Sequence, residues 1–296
     1  MRILITIRPF IYTLGKPMNR RTSPHQPEWK RHLIATTVGR LAVWEGGTGS
    51  PVVLRHGIFF DHTMWASQAD ALAKSHHVIL IDGPGHGESS DPGRGYTLAD
   101  DAQATLDVFD YFGITAATVI GHSWGGMSAV RTALRAPERV KELALIDVPL
   151  EPSSPLGRVR YWMFKALVLL VGAPAWYGAQ VAVAMFSAES RRDIPSLTTD
   201  LQRHLAAMPR LPLARAMDAV LVRPDHVLAR LGELTQPVMV LAGEEDYVLT
   251  PKTREALARH VPHASIATMP GKHVLPLEQP AETLRRIQQF LAGDDH

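Results

Sequence analysis

Along this chain, short runs of consecutive apolar residues alternate with longer stretches in which apolar residues recur three and four positions apart. The runs His32 to Thr37, Leu41 to Glu45, Pro51 to Arg55, His77 to Asp82, Ala117 to Gly121, Val140 to Asp147, Pro237 to Gly243 and Ala264 to Met269 read as strands. Several, such as Val78-Ile79-Leu80-Ile81 and Val238-Met239-Val240-Leu241, are apolar at every position, as a strand covered on both faces of a parallel sheet must be. Leu98 to Phe112, Gly126 to Ala136, Thr253 to Val261 and Pro280 to Leu291 carry the helical spacing. A strand-then-helix alternation of this kind predicts a doubly wound α/β architecture around a mostly parallel, eight-stranded sheet. The first two runs are joined closely at Gly39 and are more mixed in polarity, which suits an antiparallel edge hairpin.

Between Asp147 and Gln236 the alternation stops, and helical patterning with several prolines takes its place. We read residues 148–236 as a helical cap inserted into an α/β core made of residues 30–147 and 237–296. The most apolar stretch, Tyr161 to Phe186, is broken by Lys165, Gly172, Pro174, Gly178 and Gln180. Its pieces are too short for a clean membrane span, so amphipathic or buried helices are expected and stable membrane insertion is not. Residues 1–29 precede the pattern. The first 27 hold no Asp or Glu but carry Arg2, Arg8, Lys16, Arg20 and Arg21, and Arg8 makes a poor secretory core. A disordered or non-native extension is expected, an organelle-targeting presequence being the alternative.

Composition narrows the classes. The 31 Lys and Arg against 29 Asp and Glu leave a net charge of +2, and the basic residues are scattered. No nucleic-acid footprint is expected. The absence of cysteine excludes disulfides, thiolate metal sites and a cysteine nucleophile. No spacing among the 14 histidines and the carboxylates makes a metal set, so neither a metal nor a cofactor is expected. A cytosolic setting is the default, and oligomeric state is not legible.

The chemistry concentrates at Gly121-His122-Ser123-Trp124-Gly125-Gly126, which links the strand Ala117 to Gly121 to a helix. This is the G-x-S-x-G turn in both letters and context. Ser123 should sit there in a strained conformation that presents Oγ, and side chains at 121 and 125 would collide with neighbouring strands. The backbone N–H of Trp124, at the start of the helix, can hold an oxyanion. A second donor should come from His56-Gly57-Ile58-Phe59 after the strand Pro51 to Arg55: Ile58, with Phe59 as runner-up. A serine needs a base and the base an acid. His273 in Pro270-Gly271-Lys272-His273 and Asp246 past the strand Pro237 to Gly243 supply both, in the order Ser, Asp, His. Glu244, Glu245 and Asp147 compete with Asp246 for the acid.

The chain resembles the α/β-hydrolase superfamily, in the branch of esterases, cofactor-free haloperoxidases (perhydrolases), lactonases and C–C bond hydrolases, over roughly residues 30–293. The resemblance rests on His56-Gly57, on Asp82-Gly83-Pro84-Gly85-His86-Gly87-Glu88-Ser89, on the Ser123 turn, on Gly243-Glu244-Glu245-Asp246, and on Gly271-Lys272-His273 followed by Glu278 and Pro280. It implies acyl transfer, since relatives that form alkyl esters use a carboxylate nucleophile where this chain has Ser123. It gives His56, His86 and His122 structural hydrogen bonds rather than proton transfer, and the Asp82 to Ser89 loop a role in shaping the site's floor. A small-molecule carboxylic ester with an apolar, small to medium acyl part is the expected substrate. Phe59, Trp162, Trp176, Val248 and Val274 are the candidates to line its pocket, with cap packing the competing explanation for the cap aromatics. Peracid, lactone and C–C chemistry with the same residues are the alternatives, as is a slow-turnover receptor on the same fold.

Overall fold

A computed structural model of the chain describes residues 27–151, 153–224, 227–248 and 250–293. Residues 1–26 of the expected extension lie outside the described residues. Trp29 does not belong with them. Its ring is buried against Gly46 and its indole N–H donates to Asp70 at 2.9 Å, so the packed domain begins no later than this residue.

Eight strands form one sheet: β1 (Lys30–Thr36), β2 (Gly39–Gly46), β3 (Ser50–Arg55), β4 (His76–Ile81), β5 (Ala117–His122), β6 (Val140–Ile146), β7 (Val238–Gly243) and β8 (Ala264–Met269). Their order is β1-β2-β4-β3-β5-β6-β7-β8. β2 runs antiparallel to β1 and β4, and every other pair is parallel. The edge hairpin is therefore where the mixed polarity placed it. β5 and β7 are buried at every residue, whereas the edge strand β8 is half-buried.

The helices in chain order are α1 (Ala66–Leu72), α2 (Leu98–Tyr111), α3 (Trp124–Arg135), α4 (Pro155–Val171), α5 (Ala175–Met185), α6 (Ala188–Asp193), α7 (Ser196–Ala207), α8 (Arg210–Met217), α9 (Pro251–His260), α10 (Leu275–Glu278) and α11 (Pro280–Ala292). α2 starts on a reciprocal cap: Thr97 Oγ1 accepts from the Asp100 N–H and the Asp100 carboxylate accepts from the Thr97 N–H. α1 and α10 have no counterpart in the sequence reading, because seven and four residues are too few to display a helical period. α4 to α8 lie between β6 and β7. Contacts that hold them to the core include the peptide N–H of His273, which donates to the Met185 carbonyl at 2.9 Å, and Arg215 of α8, which pairs with Asp91.

α4 departs from expectation. Of its 17 residues only Val168 is fully buried, while Leu156, Met163 and Leu170 are 79%, 61% and 75% exposed. An apolar helix of this length is neither buried nor faced with polar residues. None of the described helices is long and apolar enough to cross a membrane.

Candidate active site

Ser123 stands between the last residue of β5 and the first of α3, with φ 48°. The strand-to-helix reversal takes place over this one residue, and the backbone is held by two hydrogen bonds. The Ser123 N–H donates to the Ile146 carbonyl and the Met127 N–H to the Ser123 carbonyl, both at 2.9 Å. A Cβ on Gly125 would lie 2.3 Å from the Arg55 carbonyl of β3, and one on Gly121 would lie 2.4 Å from the backbone nitrogen of Gly126. The first glycine lets the turn meet a neighbouring strand; the second lets it meet the start of its own helix. That second obstacle differs from the neighbouring strand expected at 121.

Ser123 Oγ is 3.0 Å from His273 Nε2, and His273 Nδ1 is 3.0 Å from Asp246 Oδ2. All three side chains are buried. The second carboxylate oxygen of Asp246 accepts from the Val248 N–H at 3.2 Å, so both oxygens are directed. Glu244 and Glu245 of the same turn point outward and are exposed. Glu278 fixes the histidine loop from both sides, accepting from the N–H groups of Lys272 and Val274, and through its other oxygen from Ser187 at the start of α6.

Asp147, the other candidate acid, does not reach the histidine. It lies at the end of β6 with φ 52° and no exposure, accepting from the Gly243 N–H at 3.0 Å and the Leu275 N–H at 3.1 Å. Burial first, and the neighbouring Asp246 carboxylate second, push its carboxyl well above the usual carboxylate range. Asp147 thus holds its proton more tightly than a carboxyl in water does. Unfolded, it ionises near about pH 3.9; folded, it ionises at higher pH. The folded state binds the extra proton, so this group's contribution is complete below the unfolded pKa and is lost as pH rises towards the folded one. Asp147→Asn, neutral and tolerant of positive φ, is expected to gain stability over the wild type as pH rises above about 4. Asp147→Ala leaves two buried N–H groups unpaired and should cost about 2–5 kcal/mol. Thermal melts across that range check both; an asparagine variant that loses ground with rising pH contradicts the assignment.

Among the described residues, neither the Ile58 N–H nor the Trp124 N–H has an acceptor, whereas the Phe59 N–H is turned to His86 Nε2 at 3.4 Å. Phe59 itself has φ 75°. Gly57 lets this loop pass beside the nucleophile turn, since a Cβ there would lie 2.4 Å from His122 Nδ1 and 3.3 Å from the Ser123 Cβ. The three motif histidines are neutral posts. Burial lowers His56 well below its ordinary value, and His86 to about 4; burial and the adjacent His273 push His122 down to about 3. His122 Nε2–H donates to the His273 carbonyl at 2.6 Å, and His56 Nε2 accepts from the Gly83 N–H at 2.7 Å. Gly83 in turn lies against the Trp124 ring, which puts the Asp82 to Ser89 loop beneath the turn.

Above Ser123 and His273 opens a cavity of about 810 Å³ roofed by the cap. Phe59, Trp176 and Val248 line it, joined by Phe164, Tyr177 and Met185. Trp162 does not. It sits on the outer side of α4, 56% exposed, because one residue further round the helix from Tyr161 faces away from the cavity. Val274 is also excluded: next to His273 in sequence, it points the other way and is wholly buried in the core. Tyr247, absent from the sequence candidates, lies parallel to the His273 ring at 5.6 Å and lines the cavity. Its place directly after Asp246 was the available signal.

The chain is similar to known hydrolases. A relative, the 3-oxoadipate enol-lactonase 2 of Acinetobacter baylyi, is 26% identical over 218 residues, spanning 74% of this chain and 79% of the relative. Among solved structures, a thermophilic esterase from Thermogutta terrifontis superposes with a TM-score of 0.82 at 27% identity, covering 90% of this chain and 100% of the other. A hydrolase from Pseudomonas aeruginosa PA01 does so with a TM-score of 0.81, also at 27% identity, over 88% and 98% of the two chains. The sequence profile of the alpha/beta hydrolase fold matches residues 50–280, a span that runs from β3 through Ser123, Asp246 and His273, and the chain belongs to that family.

Proposed function

We propose that the protein is a serine hydrolase of carboxylic esters with an apolar, small to medium acyl group, working through an acyl-enzyme. The observation that carries this reading is the continuous hydrogen-bond chain from Ser123 through His273 to Asp246 at the floor of an apolar cavity. His273 Nε2 takes the Ser123 proton as Oγ bonds to the ester carbonyl carbon, and Asp246 holds the imidazole in the tautomer that leaves Nε2 free. The N–H groups of Ile58 and Trp124 hold the oxyanion, which develops where no other acceptor competes for them. His273 then protonates the departing alkoxide. Water, activated by the same nitrogen, releases the acid. Among the described lining residues, Glu151, bound to Thr253 and Lys252, and Arg160 carry the permanent charges and the rest are largely apolar, which supports selection of the acyl part by fit.

A lactone is a cyclic ester, and the same steps open it. The similarity to the enol-lactonase favours including lactones among the substrates. A fluorophosphonate probe followed by p-nitrophenyl esters from acetate to palmitate tests the reading. Labelling should fall on Ser123, and kcat/KM should peak at a short or middle chain length and fall for palmitate, since the cavity is of ordinary ligand size. A chain that resists the probe and hydrolyses none of the series does not have this function.

A further inference from the structure

The cap carries an apolar surface that nothing in the described chain covers. On α4, Leu156, Val159, Met163 and Leu170 are between 55% and 79% exposed; on α5, Trp176 is 57% exposed. Soluble surfaces do carry scattered apolar residues, but a patch contributed by two adjacent helices in sequence signals a contact. Its charge says with what. From residue 152 to residue 188 there is no Asp or Glu, while Arg158, Arg160 and Lys165 stand among the apolar residues. Lys165 is held by Asp218, but among the described residues Arg158 and Arg160 have no acidic partner. A second copy docking through the same patch about a two-fold axis would bring these arginines together with no carboxylate between them. An anionic lipid surface meets both properties at once, taking the leucines and tryptophans into the headgroup boundary and leaving the guanidinium groups among phosphates.

The surface is continuous with the rim of the cavity. Phe164 and Trp176 line the cavity and are themselves 39% and 57% exposed, and Arg160 also does both. A bilayer seated on α4 and α5 would therefore lie across the entrance to Ser123. We propose that the exposed face of α4 and α5 docks on an anionic phospholipid bilayer, and that the enzyme draws apolar ester substrates from it. The second half rests on the hydrolase reading above; the first half does not. Docking is peripheral, since neither helix is long enough to span.

The test uses the full chain with vesicles of pure phosphatidylcholine, vesicles of equal parts phosphatidylcholine and phosphatidylglycerol, and no lipid. The protein should co-float with the phosphatidylglycerol vesicles, bind pure phosphatidylcholine much less, and be partly released by high salt. A double variant, Leu156→Asp with Leu170→Asp, changes two exposed residues outside the cavity. It should bind about tenfold or more weakly, while hydrolysing water-soluble p-nitrophenyl acetate as the wild type does, which also shows that it is folded. Equal binding by the variant, or no binding to either vesicle, overturns the docking. So does a dimer in the absence of lipid that the double variant dissociates, which assigns the face to a second copy. Intact lipid binding without any ester turnover supports the docking and strikes only the hydrolase reading.

Discussion

Ser123→Ala is expected to lower kcat on any true ester substrate by about 10³- to 10⁶-fold. On the proposed mechanism the variant lacks the bond-forming atom and keeps only the cavity and the N–H groups of Ile58 and Trp124 to act on a water molecule. The fold should be unaffected, because Ser123 is held by backbone hydrogen bonds that alanine keeps, even at φ 48°. His273→Ala should fall nearly as far. The double variant should be little worse than either single one, since the two residues act as one unit joined at 3.0 Å. Single-turnover measurements on the best p-nitrophenyl ester, with the fluorophosphonate probe as a count of active sites, supply the comparison. Near-normal turnover by Ser123→Ala would move the chemistry to another residue.

The largest effect on stability is expected at a position remote from substrate. Arg55, at the end of β3, reaches Asp101 of α2 at 2.6 Å, and both side chains are sealed from water, at 2% and 0% exposure. Removing the carboxylate strands a buried guanidinium. Asp101→Ala should cost about 3–5 kcal/mol and lower the melting temperature by on the order of ten degrees. The pair is not worth that much in itself: the desolvation of both charges offsets most of their attraction. Replacing both, as Arg55→Met with Asp101→Leu, should therefore recover most of the loss. The backbone of Arg55 also carries Gly125 of the nucleophile turn against its carbonyl. Turnover by Asp101→Ala should accordingly fail at the temperature where its own melt begins, and calorimetry beside activity measured over a temperature series reads both. A double variant as unstable as the single would show that Arg55 matters through packing instead.

The fold was legible because its signals are contiguous. Strands buried on both faces cannot be written except as apolar runs, so β3 to β7 stand out in one dimension. The nucleophile turn is likewise local, with strand, glycines, serine and helix following one another within twenty residues. α1 and α10 were illegible for the opposite reason, having too few residues to set up a period. The acid was intermediate. Sequence placed Asp246, Glu244, Glu245 and Asp147 near one end of the sheet, and only packing turned the two glutamates out to water and buried Asp147 on the Gly243 and Leu275 amides, away from His273.

By itself, the sequence determined the architecture, the serine on its turn, and a histidine and a set of acids in the right order, because each is encoded by neighbours along the chain. The tertiary structure alone decided which residues of α4 and α5 face the cavity. α4 is apolar nearly all the way round, so it has no polar face from which its inward side could be read. With Val168 buried in the core, Tyr161 and Phe164 face the cavity and Trp162 and Met163 face outward. The same absence of a polar face that hid the pocket lining is what leaves an apolar surface at its rim.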